Sequence, residues 1–379
     1  MQQPVVMLLP YDSCSGLELF GLRFARDLID RGHHALVAAP EGSLIASQCA
    51  DRKIPLWQFP ATVKYDLASF PACLKMVSNL NPAAVVAFRT QMMYPLHAAR
   101  LLTGRHVPVF LFYRIGVGNH RRNDPIHRRM FRHLAAVVPN ADYVKNKILK
   151  FWGIDAAKVV CIKSGVDSEK YRPDSARRAS LRKELNVDDQ AVLIGSSGRI
   201  HPEKGSEILL RALFDERGPA RNRQNVHLLY IGREYQPGYA DHLHNIAVEL
   251  AAGDRFHILG FRNDVEKVYS ALDLFAFAVT SNEAYAYVVL EAMASGVAPL
   301  VPATGGLSEM FDNGVEGFFF EHRNTDSLRQ ALDSALSMPA EQLKLMGQLS
   351  RQRILQTADW NLMMEKYLAL FKKNGVKGF

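Results

Sequence analysis

The sequence predicts an α/β protein of two doubly wound domains, each a parallel sheet with helices on both faces. Three observations carry this. Short apolar runs of strand length alternate with helix-period patterns along most of the chain. The alternation falls into two series, separated by a polar, charged stretch at residues 165–190 that includes Asp167, Pro173 and Asp189. The length, 379 residues, suits two compact domains of ~100–200 residues each.

The first series opens with an apolar run at residues 5–9, read as a buried strand. Residues 17–31 follow as a helix, with Leu17, Phe20, Phe24 and Leu28 at helical spacing and Gly32 to end it. Strands are expected at residues 35–39, 83–88, 107–112 and 135–138. The second series places strands at 191–196, 226–231, 256–259, 274–278 and 298–302, with helices between. Residues 360–373 read as a terminal amphipathic helix. The expected boundaries are a first domain at 1–170, a linker at 171–190, a second domain at 191–358 and a C-terminal helical segment at 359–379 that packs back towards the first domain. No internal repeat or low-complexity tract is present.

Composition narrows the class. Hydrophobic content of 48% and charged content of 22% are those of a globular protein in water. Four scattered cysteines (Cys14, Cys49, Cys73, Cys161) lack metal-type spacing and suggest reduced thiols in a cytoplasmic protein. The run at 5–10 has no basic residue before it and is too short for a signal-peptide core. No apolar run approaches the ~18 residues a membrane span needs. The net charge of +8 suggests a polyanionic partner, either nucleic acid, lipid headgroups or phosphorylated small molecules. There is no P-loop, no G-x-S-x-G elbow, no H-E-x-x-H and no evident Asp-x-Asp metal site.

Chemistry concentrates at residues 281–306, SNEAYAYVVLEAMASGVAPLVPATGG. Eight helical steps separate Glu283 from Glu291, about 800° of turn, which is about 80° beyond two full turns. On one helix they would not share a face. They become a coherent pair if Glu283 lies in the turn before the helix and Glu291 inside it. The amides that follow Glu283 then form a helix N-terminus suited to a phosphate or a sugar hydroxyl. The Gly305-Gly306 loop offers further backbone N–H groups.

A second motif, Gly198-Arg199-Ile200-His201-Pro202-Glu203-Lys204-Gly205, directly follows a predicted strand. It pairs the planar fork of Arg199 with the point charge of Lys204, a natural clamp for a diphosphate. Charges ~4 Å apart in a partly shielded cleft interact by ~4 kcal/mol at an effective dielectric of ~20, enough to stabilise a leaving diphosphate without a metal. A third motif, Ser15-Gly16-Leu17-Glu18, places a glycine where backbone can approach a ligand. It is not G-x-G-x-x-G, which disfavours NAD. The fourth, residues 114–133, holds Arg114, His120, Arg121, Arg122, His127, Arg128, Arg129, Arg132 and His133. It suits an anionic lipid surface or a phosphorylated acceptor. Its few aromatics argue against nucleic acid. Taken singly, each motif also fits something ordinary: exposed carboxylates, a basic loop, a tight turn, a solvated face.

In order and spacing, however, these motifs together resemble family 4 retaining glycosyltransferases of the GT-B type, two Rossmann-like domains facing a cleft, as found in bacterial surface-glycan synthesis. The likeness spans nearly the whole chain. It includes Ser15 to His33, the run IKSGVDSEKYRP at 162–173, Gly198 to Gly205, LGFRNDV at 259–265, the Ala271–Phe275 run and the 281–306 stretch. The resemblance implies metal-independent hexosyl transfer from a nucleotide-sugar, with a UDP-sugar favoured over a GDP-sugar and no resident cofactor. Arg199 and Lys204 would bind the donor diphosphate and Glu291 the ribose. Glu283 would contact the donor sugar, helped by the amides of Ala284, Tyr285, Ala286 and Tyr287. Gly16 would lie near the phosphates and acceptor, and the Phe261–Arg262 backbone would border the base. Glu283, Arg199 and Lys204 are the expected catalytic set. The leaving phosphate would take the acceptor's proton, leaving positioning and charge stabilisation to the protein.

The acceptor is expected to be a glycan or lipid-linked glycan, for instance in lipopolysaccharide synthesis, at the cytoplasmic face of the inner membrane. Alternatives are a soluble small-molecule acceptor or a non-catalytic sugar-nucleotide binder. Two departures from the family's pattern stand out. Where it often has Glu-Gly-Phe-Gly, this chain has Glu283-Ala284-Tyr285-Ala286, and the alanine Cβ atoms are expected to restrict φ > 0 and reshape the sugar pocket. Where many relatives carry a histidine after the strand at 107–112, Tyr113 and Arg114 stand here, so no catalytic histidine is assigned.

Overall fold

The computed structural model describes residues 3–12, 16–61, 69–114 and 121–379. It holds two compact units. One comprises residues 1–162 together with 364–379, the other residues 163–363.

The first unit is built on six parallel strands: β1 (Val5–Leu8), β2 (Ala35–Ala39), β3 (Leu56–Gln58), β4 (Ala84–Ala87), β5 (Val109–Tyr113) and β6 (Ala136–Pro139). Their spatial order is β3-β2-β1-β4-β5-β6. The second unit repeats the design with β7 (Val192–Ser197), β8 (Val226–Ile231), β9 (Phe256–Ile258), β10 (Leu274–Ala276), β11 (Ala298–Pro302) and β12 (Phe318–Phe320). Read from its other edge, the order β12-β11-β10-β7-β8-β9 is the same third-second-first-fourth-fifth-sixth sequence. Both sheets therefore reverse direction between their first and fourth strands, β1/β4 in one unit and β7/β10 in the other. At such a point the loops leaving the strands' carboxyl ends diverge and open a crevice, the place where open α/β sheets bind ligands. Strands β1, β4, β5 and β6 are buried along their whole length. Buried on both faces, they read as unbroken apolar runs rather than as alternating ones.

Two strands escape sequence reading, β3 and β12. Each has three residues and lies at a sheet edge, too short to establish a period. The larger correction concerns residues 171–190, expected as a linker. They contain the helix Ser175–Leu185, whose Leu181 and Arg182 are buried. The polar composition that suggested a linker has a structural cause. Asp174 caps the helix by accepting from the Arg177 amide, and the charged Arg182 is consumed internally. Arg182 donates to the carbonyls of Asp188 (2.7 Å), Ala191 (3.0 Å) and Ala271 (3.2 Å) and pairs with Asp273. Arg178 donates to the same carboxylate at 2.8 Å. The first unit accordingly ends at Ile162 rather than at 170.

Residues beyond Met363 belong to the first unit. Tyr367 and Phe371, on the helix Trp360–Lys373, are fully buried. Tyr367 meets Phe24 edge-on at 5.0 Å and Phe112 at 4.5 Å, and Phe371 packs on Phe110 at 4.8 Å. Such aromatic contacts add ~0.5–1.5 kcal/mol each beyond the area they bury. No helix among the described residues is long and apolar enough to cross a membrane.

Candidate active site

The crevice of the second unit lies where β7 and β10 diverge. β7 delivers Gly198 and Arg199 directly, and a short 3₁₀ turn, Pro202–Lys204, brings Lys204 back over the sheet end. Gly205 then opens the helix Ser206–Phe214. Only glycine fits there. Its φ is +71°, and a Cβ would stand 1.8 Å from the carbonyl oxygen of Ala278. The turn and the loop leaving β10 thus touch backbone to backbone. Thr280 locks the contact, its amide donating to the Glu203 carbonyl at 3.0 Å and its hydroxyl to the same oxygen at 3.2 Å.

The loop after β10 carries Glu283, and the two chains meet at their functional groups. Lys204 Nζ lies 2.6 Å from Glu283 Oε1, with both side chains about four-fifths buried. Glu283 is held from behind as well. Its carbonyl accepts from the Gly306 amide at 3.0 Å. Gly305, at φ +57°, comes so close that a Cβ would lie 2.3 Å from that oxygen. The Thr304 hydroxyl donates to Asn282 Oδ1 at 2.7 Å. This revises one expectation: the Gly306 N–H is spent on positioning Glu283 and is not available to a phosphate.

Glu283 precedes the helix Tyr287–Ala294 and Glu291 lies within it, the arrangement that makes two carboxylates eight residues apart compatible. Glu291 Oε2 accepts from Tyr269 at 3.0 Å. Tyr269 is fully buried. Burial first, and then the adjacent carboxylate, raises its phenol well above the ordinary value, so it stays protonated and donates. The Ser197 hydroxyl, at the end of β7, also bonds the Tyr269 oxygen. Tyr269 therefore aims Glu291 at the same strand end that bears Arg199. Nothing in the sequence pattern singles out Tyr269, since a tyrosine on a helix reads as core.

The alanines at the departure from the family's pattern cost less than expected. Ala284 and Ala286 are buried, and neither has positive φ. The turn is built in a conformation L-residues adopt freely, so no backbone strain results. Ala286 precedes the helix in extended conformation with no side-chain cap. Of the amides early in this helix, those of Val289 and Leu290 are already taken by the Ala286 carbonyl. Tyr285 is buried beside them and Tyr287 is half-buried.

The remaining predicted residues are more dispersed. Arg199 is exposed and touches neither glutamate; its guanidinium lies over the Tyr235 ring, 4.6 Å from the centroid. Gly198 and Gly232 explain its placement: a Cβ on Gly232 would stand 1.7 Å from the Gly198 carbonyl oxygen, so the loops after β7 and β8 cross in contact. Phe261 and Arg262 follow β9 at the same edge. Phe261 is 61% exposed, with the Arg233 guanidinium 5.0 Å from its ring centroid. The Arg262 side chain is committed to Asp264 (2.8 Å) and Glu184, so only its backbone is free to meet a ligand. Gly16 belongs to the first unit, where it opens the helix Gly16–Asp30. Ser15 lies outside the described residues. Glu18, in the same first turn, is fully buried, 3.7 Å from Arg89.

Within the basic segment, Arg114 is a structural residue. It is buried, with its guanidinium 3.6 Å over the Phe20 ring and donating to the Tyr367 hydroxyl at 3.1 Å. Positive charge at this depth is tolerated because an aromatic face and an oxygen meet it. Residues 115–120, with His120, lie outside the described residues. Arg121, Arg128, Arg129, Arg132 and His133 remain exposed, the last four around the helix Pro125–Arg132. Among the described residues, no group of three or more His, Cys, Asp or Glu side chains could hold a metal.

Comparison with known proteins accounts for both units. Residues 15–170 match the family described as Glycosyltransferase Family 4, and residues 177–353 match Glycosyl transferases group 1. Among curated relatives, the spore coat protein SA of Bacillus subtilis is 26% identical over 64% of this chain and 66% of its own length. The D-inositol 3-phosphate glycosyltransferase of Saccharomonospora viridis is 29% identical over 62% of this chain and 55% of its own. The matched stretch thus spans roughly half to two thirds of those relatives. Among solved structures, a glycosyltransferase from Rickettsia africae superposes with a TM-score of 0.86 at 18% identity, covering all of both chains. Anabaena Alr3699/HepE, in complex with UDP and glucose, gives 0.78 at 20% identity over 98% of this chain and 100% of its own. The two sheets of identical winding, the ordered motifs across both units and these matches place the chain in the family 4 glycosyltransferases of the GT-B type.

Proposed function

We propose that the protein transfers a hexose, with retention of configuration, from a UDP-sugar to a phosphorylated, lipid-linked glycan, without a metal, at the cytoplasmic face of a membrane. The carrying observation is the Lys204–Glu283 pair at 2.6 Å in the β7/β10 crevice. A cation and a carboxylate in contact are what a donor with a charged diphosphate and a hydroxyl-rich sugar can divide. The diphosphate draws Lys204, and Glu283 is released to accept hydrogen bonds from the sugar. Arg199 adds the second cation, Glu291 receives the ribose hydroxyls, and the exposed ring of Phe261 flanks the base. In the transfer, the bond from the sugar's anomeric carbon to the diphosphate oxygen breaks as the bond to the acceptor oxygen forms on the same face. The acceptor's proton goes to the leaving diphosphate. Positioning and charge stabilisation carry such a step.

The named complex of HepE with UDP and glucose supports a uridine donor. Thermal-shift measurement against UDP-, GDP- and ADP-sugars tests it. A donor at 100 times its Kd stabilises by ~2.7 kcal/mol, and we expect that shift with UDP-sugars alone. Equal shifts with all three would set the uridine assignment aside. The anomeric coupling constant of the product distinguishes retention from inversion.

Charge distribution supports the lipid-linked acceptor. Residues 67–141 contain ten Lys and Arg and a single acid, Asp124, so the chain's whole excess of positive charge falls in this stretch of the first unit. Flotation with vesicles containing anionic lipid is expected to weaken steeply with added salt, as the Debye length falls from ~10 Å at 0.1 M to ~3 Å at 1 M. Binding indifferent to salt, or none, would favour a soluble acceptor.

A further inference from the structure

The two helices that flank β5, Met93–Thr103 and Pro125–Arg132, are in contact along one side of the first unit. Near their carboxyl-terminal ends a cleft of about 330 Å³ is lined by His97, Arg100, Arg105, His106 and His133, with Leu101 and Gly104. Five of these seven residues are cationic or can become so, and none is acidic. Such a composition is repulsive unless an anion joins it.

The histidines lie side by side in that field. The His97 and His133 rings stack with centroids 4.5 Å apart at 29°. Arg100 donates to the His133 carbonyl at 2.7 Å, which holds its guanidinium beside the pair. Lys158 donates to the Leu134 carbonyl at 2.8 Å and also to that of Arg132. Two nitrogens at the cleft, His97 Nε2 and Arg100 Nε, are shut off from solvent and have no hydrogen-bond partner among the described residues. Shielded polar atoms normally find partners.

We infer that this cleft binds a phosphate monoester dianion, and that binding carries protons onto His97 and His133. The site is distinct from the donor crevice and does not depend on the transfer reaction. A phosphate oxygen in the cleft can accept from Arg105 and from the exposed His133 ring, while its second charge offsets Arg100 and the His97 ring stacked on His133. The surrounding field sets the pH response. His97 is held below its ordinary value by burial, then by His133, Arg100 and Arg129. His133 is held down by burial, then by Arg100, Arg129, Lys158 and Arg132. Asp155 lies beside Lys158, and no acid among the described residues contributes to the shift of either histidine. Both rings are therefore neutral near pH 7 when the cleft is empty. An opposite charge within ~4–6 Å raises such a group by about one to three units, so the midpoints of both histidines rise when the dianion occupies the cleft.

The monoester could be free in solution or the headgroup of a lipid. Leu101 and Leu102, 58% and 68% exposed beside the cleft, would suit a bilayer. The test follows histidine C2 protons by NMR in the full chain at constant ionic strength, with inorganic phosphate, with phosphatidic acid vesicles and with phosphatidylglycerol vesicles of equal charge density. Midpoints of His97 and His133 are expected to rise by about one pH unit. Movement with inorganic phosphate assigns a soluble ligand; movement with phosphatidic acid alone assigns a lipid headgroup. Arg105→Gln and, separately, His97→Gln should weaken the response at least fivefold while leaving the melting temperature in place. Unmoved midpoints with all three probes would overturn the site. So would phosphatidylglycerol acting as strongly as phosphatidic acid with both variants unaffected.

Discussion

Lys204→Ala should reduce turnover by about a thousand-fold, the scale on which one preorganised electrostatic contact to a developing anion acts, while the protein keeps its fold. Lys204 is the only cation the structure brings into contact with Glu283 among the described residues. It sits on a 3₁₀ turn tied to the β10 loop by Gly205 and Thr280, so its ammonium is delivered with little freedom left to lose. The pair is about four-fifths buried, so breaking it costs more than the ~0–1 kcal/mol of an exposed pair and less than the ~3–5 kcal/mol of a fully buried one. The melting temperature should fall by only a few degrees. Glu283→Ala should lose turnover on the same scale through the sugar rather than the diphosphate. The two variants differ in donor binding: Lys204→Ala weakens affinity for UDP itself, whereas Glu283→Ala leaves UDP affinity intact and weakens only the sugar-bearing donor. A Lys204→Ala enzyme within tenfold of the parent would remove the diphosphate role. A large drop in melting temperature would instead make the pair structural.

Asp273→Ala should cost about 3–5 kcal/mol, the penalty for stranding a buried charge. Its carboxylate is shared by Arg178, by the fully buried Arg182 and by the Leu193 amide, which donates at 2.8 Å. Burial already disfavours the Arg182 cation, and Asp273 is its leading compensation. With the carboxylate gone, four carbonyls, those of Asp188, Asp189, Ala191 and Ala271, would be left to solvate a guanidinium. Leu193 lies in β7, so the loss should appear as faster amide exchange across residues 192–197 and a lowered urea midpoint of the second unit. Asp273→Asn, which keeps the acceptor for Leu193 but not the charge, should fall between. A cost below about 1 kcal/mol for the alanine variant would show that the carbonyls suffice.

How far the sequence could be read depended on the range of the interactions involved. Long buried strands such as β5 and β8 announce themselves as apolar runs, and the two-fold repeat of strand and helix gives two wound sheets. Glu283, Glu291, Arg199 and Lys204 were legible because a ligand's charge and hydroxyls dictate residue types near fixed turns. Contacts that join distant segments were not. Tyr269, which aims Glu291 from 22 positions away, looks like any helical aromatic. The glycine crossings at Gly198/Gly232 and Gly205/Ala278 are visible only as glycines, without their partners. Residues 171–190 misled because charge density signals solvent exposure, whereas Arg182 satisfies its charge inside. Arg114 misled in the same way: counted among surface cations, it is buried against Phe20 and Tyr367.

That last contact bears on the order in which the chain can mature. Phe24, Phe110 and Phe112 are made early, yet their neighbours Tyr367 and Phe371 are synthesised only after the whole of residues 163–363. Domains usually fold as they emerge, the N-terminal one first. Here the first unit must wait with an aromatic surface and the Arg114 guanidinium uncovered until the second has been completed. A nascent chain halted at residue 162 is therefore a sticky, charge-bearing intermediate that invites chaperone capture, and expression of residues 1–162 alone should yield aggregate rather than a folded domain.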